Sequence, residues 1–75
     1  MPPLPIISGK QVVKAFEKDG WIFDRQHGSH MILTKPGMQS TLSVPNHKEI
    51  GRGLLKTLIK DSGLSIQEFI NLQNK

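Results

Sequence analysis

Two turn signals bracket a short run in the middle of the chain and leave it little conformational freedom. His27-Gly28-Ser29 precedes HMILTK (30–35), and Lys35-Pro36-Gly37 closes it. Pro36 presets φ for the first central position of a turn, and Gly37 is free to take the φ > 0 that the second requires. Upstream of the first turn, WIFDRQ (21–26) is aromatic and β-branched, the composition of a strand. Downstream of the second, Thr41 to Val44 form a shorter strand that Pro45 ends. Three strands joined by tight turns imply an antiparallel meander.

The flanks read as helices. Ser8 suits an N-cap and Gly20 a C-terminal stop for a helix over about 9–19, with Val12, Val13 and Phe16 as its apolar stripe. Lys10, Lys14 and Lys18 run along its other side, either as a solvated face or as phosphate contacts. Ile50, Leu54, Leu55, Leu58 and Ile59 recur at helical spacing up to Gly63. Ser65 and Glu68 fit a capping box for a last helix carrying Ile66, Phe69 and Ile70. The order α-β-β-β-α-α gives an α+β fold with helices on one face of the sheet and the other face open. Alternation then sends Met31, Leu33, Leu42 and Val44 toward the helices, and His30, Thr34 and Ser43 outward. Ile32 falls on the outward set.

A chain of 75 residues makes one domain, spanning 1–75, with 1–7 an extended, loosely held segment rich in proline. At this size only about 60% of the unfolded surface is buried, so the core is thin. With no cysteine there is no disulfide, thiolate metal site or thiol nucleophile. No apolar run approaches a membrane span, and the start lacks the charged-then-apolar order of a secretory signal, which points to the cytoplasm. Ten Lys and Arg against six Asp and Glu give +4 and a pI near 9.8. On so small a domain, that excess is either a solvated surface or the footprint of a polyanionic or acidic partner.

Motif chemistry narrows the options. No phosphate-cradling glycine loop is present. Glycines 51 and 53 around Arg52 open a helix and give only a weak anion signal. There is no HExxH, and His27, His30 and His47 lack carboxylates at ligand spacing, so no metal or cofactor is expected. Asp24 stands beside Arg25 as a surface ion pair rather than half of a carboxylate dyad. Histidine and cations remain. As a residue type, histidine titrates near neutrality and can take and return a proton. RNA supplies its own nucleophile, the 2′-hydroxyl, so a metal-free nuclease needs only a base, an acid and cations for the phosphorane. His30, His27 and His47 could move the protons, with Arg25, Lys35, Lys48 or Arg52 as the charge. Composition alone leaves His30 either a strand-end residue or a catalyst.

Four stretches in order, SGKQVVKAFEKDGW, RQHGSHMIL, LSVPNH and GLLKTLIKDSGLSIQEF, closely resemble the HicA family of toxin–antitoxin ribonucleases. The resemblance covers residues 8 to 70. It implies a double-stranded-RNA-binding-domain-like fold, α-β-β-β-α(-α), and a metal-independent mRNA interferase inhibited by a HicB-like acidic antitoxin. It places the catalytic histidine of the GSH motif on His30 and the histidine of the VPxH motif on His47. Ser29, Lys35, His47, Lys48 and Arg52 are the accompanying candidates for RNA contact. The chain departs from the family at Gly53-Leu54-Leu55, where Gly-Thr-Leu is frequent, so a hydroxyl at a helix start is lost. The rival is an RNA-binding domain of the same shape that holds RNA through phosphates and 2′-hydroxyls without cutting it. A third reading is an adaptor whose basic face binds an acidic protein and no RNA.

Overall fold

The computed structural model describes residues 4–75. Its elements run α1 (Gly9–Lys18), β1 (Ile22–His27), β2 (His30–Thr34), β3 (Leu42–Pro45), α2 (Arg52–Ser62) and α3 (Ile66–Gln73). This is the expected α-β-β-β-α-α order, with strand bounds displaced by about one residue. The strands pair in sequence order, β1 to β2 to β3, and both pairings are antiparallel. Among the described residues, no helix is long and apolar enough to cross a membrane.

Local chemistry accounts for most boundaries. At α1, Ser8 Oγ accepts from the Gln11 backbone N–H at 3.2 Å, and Gln11 Oε1 accepts from the Ser8 N–H at 2.9 Å. Ser65 and Glu68 form the same reciprocal box at α3. The turn after β2 closes with the Met38 N–H donating to the Lys35 carbonyl at 3.0 Å, and Gly37 has φ 86° as its position demands.

The core is one cluster in which α1 and α3 meet through aromatics. Phe16 stands 5.2 Å from Phe69 and 6.4 Å from Trp21, ring centre to ring centre, and all three are buried. Met31, Leu33, Leu42 and Val44 face the helices and are buried, as the alternation requires. Lys18 Nζ reaches across to donate to the backbone oxygens of Leu72 and Lys75 at 3.0 and 2.7 Å. A lysine at a helix C-terminus satisfies carbonyls that have no intrahelical partner. Lys18 therefore clasps the end of α3 rather than standing free with Lys10 and Lys14.

Three expectations need correction. Residues 1–3 lie outside the described residues, but the segment from Leu4 is not loose. Leu4 and Ile7 are core residues, Ile50 donates its N–H to the Ile7 carbonyl at 2.7 Å, and Arg52 Nε donates to the Leu4 carbonyl at 2.7 Å. Ile50 is thus a bridge partner and not the first residue of a helix. Gly51 behind it is extended (φ −62°, ψ 148°) and caps α2 without a side chain, so the helix starts at Arg52. Leu54, spaced four from Ile50, consequently misses the core and is 41% exposed. Finally, Trp21 precedes β1, anchored by its N–H to the Phe16 carbonyl at 3.2 Å, which leaves it a core residue rather than a strand residue.

β1 itself is exposed along its length, and its pairing slips between Phe23 and Arg25, leaving Asp24 as an extra, unpaired residue. Beyond that step Arg25 pairs with Ile32, Gln26 with Met31 and His27 with His30. Directly opposed residues share a face of the sheet. Arg25 and His27 therefore join His30 and Ile32 on the open side, while Gln26 follows Met31 toward the helices.

Candidate active site

His30 opens the central strand at the turn formed by Gly28 and Ser29, where Gly28 takes φ 62°. Its neighbours are set by register on both sides, His27 across the hairpin and Pro45 on β3. Its side chain lies on the open face and is exposed. There Nδ1 meets Ser43 Oγ at 2.9 Å. Ser43 pairs with Ile32, so it approaches His30 along the diagonal of the sheet. Asp24 and Arg25 form the expected ion pair on the same strand as His27.

The end of the sheet that carries His30 is closed by a loop. The Asn46 N–H donates to the Ser29 carbonyl at 2.7 Å, which ties the β3–α2 connection to the hairpin turn. The Gly9 N–H donates to the His47 carbonyl at 2.9 Å, which ties the same connection to the start of α1. A side chain on Gly9 would collide with the Pro45 carbonyl oxygen, so glycine is what permits this approach. The outcome is a shallow cleft of about 200 Å³ lined by Ser8, Lys10, Asn46, His47 and Lys48. Lys10 and Lys48 give it a cationic lining beside the His47 imidazole, suited to phosphate oxygens.

The site candidates read from the sequence divide into two groups. Ser29, His30, His47 and Lys48 come together at this end of the sheet. Lys35 does not join them. It continues the Met31–Leu33 side of β2, about 16 Å along the strand from His30 at roughly 3.3 Å per residue. There its Nζ pairs with Asp19 at 3.0 Å and stands 6.0 Å over the Trp21 ring. Arg52 is occupied at the start of α2, donating to the Leu4 carbonyl. Sequence reading overlooked Lys10 as a member of the cleft and Ser43 as the partner of His30. The parity of Lys35 with Met31 and Leu33 was visible in the strand alternation, whereas the Ser43 contact required the register. Among the described residues, no group of three or more His, Asp or Glu side chains comes together to hold a metal ion.

A three-stranded antiparallel sheet with helices on one face and a histidine on the other defines a small α+β domain of the double-stranded-RNA-binding-domain-like class. Residues 9–64 match the model of the HicA toxin of bacterial toxin–antitoxin systems. That span exceeds half of the chain, and the protein belongs to the HicA toxin family. A chain of the solved toxin–antitoxin complex from Streptococcus pneumoniae is similar in structure, with a TM-score of 0.70 and 29% identity over 77% of this chain and 98% of that one. Comparison with curated proteins gives no significant match.

Proposed function

We propose that this toxin is an endoribonuclease that cleaves mRNA by using His30 as the general base. The observation that carries the reading is the environment of His30: exposed on the open face, hydrogen-bonded through Nδ1 to Ser43, opposite His27, and paired on its other side with Pro45, which leads into the loop that carries Lys48. In the reaction, His30 takes the proton of a ribose 2′-hydroxyl, and the oxygen attacks the adjacent phosphorus. The bond to the 5′-oxygen breaks, and His27 supplies the proton that the leaving oxygen needs. Directly opposite residues have Cβ atoms about 4.5–5.5 Å apart, so two imidazoles can serve one phosphate. Lys10 and Lys48 hold the neighbouring phosphates. The product is a 2′,3′-cyclic phosphate and a free 5′-hydroxyl, and no cofactor enters the balance.

The complex from Streptococcus pneumoniae contains toxin and antitoxin together, which supports a protein inhibitor for this toxin as well. With a net charge of +4, the chain is complementary to an acidic, HicB-like antitoxin that covers His30 and competes with RNA for the same cations. The deciding experiment compares wild type and His30→Ala on mixed-sequence RNA in the presence of a chelator. Wild type should cut and leave the cyclic phosphate. The variant should bind RNA and cut it at least 100-fold more slowly, within the range for loss of a general base. Equal cutting by both proteins would dismiss His30. Binding without cutting by the wild type would make the chain an RNA-binding domain instead.

A further inference from the structure

The contact between His30 and Ser43 decides which ring nitrogen does the chemistry. An imidazole offers two nitrogens, and in its neutral form one carries a proton while the other carries the lone pair. Ser43 Oγ sits 2.9 Å from Nδ1, so that nitrogen is engaged by the sheet and Nε2 is left for substrate. Ser43 is exposed in the middle of β3, and its main-chain neighbours are fixed by the ladder to Ile32. Its hydroxyl is thus presented from a rigid element and not from a loop.

We propose that Ser43 is a positioning residue for His30. Its Oγ accepts from Nδ1–H and so keeps the lone pair on Nε2, the atom that removes the 2′-hydroxyl proton. This rests on the reading of His30 as the base. When Nε2 takes the proton, the ring becomes a cation and Nδ1–H remains a donor to the same oxygen. The bond therefore needs no rearrangement, and it strengthens as the charge develops, because hydrogen bonds from an ionised donor are about twice as strong as neutral ones. An interaction stronger in the transition state than in the ground state raises kcat rather than lowering KM. The opposite arrangement, with the serine hydroxyl donating to Nδ1, would place the ring proton on Nε2 and leave no base facing the substrate.

Ser43→Ala, Ser43→Thr and His30→Ala test this with a mixed-sequence RNA oligonucleotide. Ser43→Ala should lower kcat about 10- to 100-fold, the equivalent of one charge-assisted hydrogen bond, with KM little changed. Ser43→Thr keeps the hydroxyl on the same strand position and should recover most of the rate. Nitrogen-15 NMR of the ring in the RNA-free protein gives a readout independent of turnover. The neutral ring of His30 should be protonated at Nδ1 in wild type and in Ser43→Thr, and should shift toward Nε2–H in Ser43→Ala. Wild-type kcat in Ser43→Ala, or an Nε2–H ring in the wild type, would overturn the assignment. The two readings fail separately. Full activity of His30→Ala removes the catalytic role altogether, whereas an inactive His30→Ala beside a fully active Ser43→Ala removes only the role of Ser43.

Discussion

Gly9→Ala should destabilise the protein, although helix propensity alone says the reverse. Alanine in place of a helical glycine gains up to about 1 kcal/mol. At position 9 that gain meets an obstacle, because the new Cβ would overlap the Pro45 carbonyl oxygen and would stand only 3.2 Å from the Met31 methyl. The methyl can turn away, but the carbonyl cannot. It belongs to the end of β3, and the adjoining connection is held by the bond from the Gly9 N–H to the His47 carbonyl at 2.9 Å. Overpacking costs about 1–3 kcal/mol, and loss of that hydrogen bond costs about 0.5–1.5 kcal/mol more. Set against the helical gain, the net loss is about 0.5–3.5 kcal/mol. In a domain of this size each kcal/mol moves Tm by about 4–8 °C, so the fall is roughly 2 to 28 °C. Gly53→Ala provides the internal control. It lies in the first turn of α2 with nothing within 4 Å of its added Cβ, so it should stabilise by about 0.4–1 kcal/mol. Thermal melts followed by circular dichroism, with urea titrations beside them, measure both. A Gly9→Ala variant that melts at or above the wild-type temperature would refute the close-approach argument.

Two further outcomes follow from the core and the cleft. Phe69→Ala should cost about 3–5 kcal/mol, as a fully buried phenylalanine packed on Phe16 would, and leave little folded protein at 37 °C; a mild effect in a urea titration would mean that α3 is an appendage to the domain. Lys10→Ala and Lys48→Ala should each lower the log–log slope of RNA affinity against salt by about 0.7, while Lys35→Ala, whose charge is paired on the helix side, leaves it unchanged. A binding titration over a range of salt concentrations separates these, and an equal drop for Lys35→Ala would contradict the placement of that lysine.

What was legible in the sequence is what local chemistry controls. Ser8, Ser65 with Glu68, and Lys35-Pro36-Gly37 announced their caps and turn because each acts on backbone groups within a few residues. Alternation gave the buried face of β2 and β3 for the same reason. Ile50 was misread because an apolar residue four before Leu54 satisfies helical spacing whether or not the backbone is helical. Its bridge to Ile7, across the length of the chain, carries no local signal. Leu4 escaped likewise, since prolines around it speak for extended backbone but not for where that backbone is tied. At the site, the resemblance supplied His30 and His47, but Ser43 and Lys10 reach the same end of the sheet only through strand register and the packing of α1 on Pro45.

The irregular step at Asp24 also governs what can lie beside this sheet. β1 is an outer strand, so among the described residues the N–H and C=O groups on its far side have no strand to meet, and it carries the exposed Ile22 and Phe23. A regular strand of that makeup is a template on which another copy or an unfolded chain can add, the first move of aggregation. The extra residue interrupts the template, and it does so with a carboxylate and a guanidinium side by side in the middle of the edge. A newcomer would have to break its own ladder and desolvate both charges to continue past them. The hairpin that offers its histidines to solvent is, by the same backbone detail, kept from growing sideways.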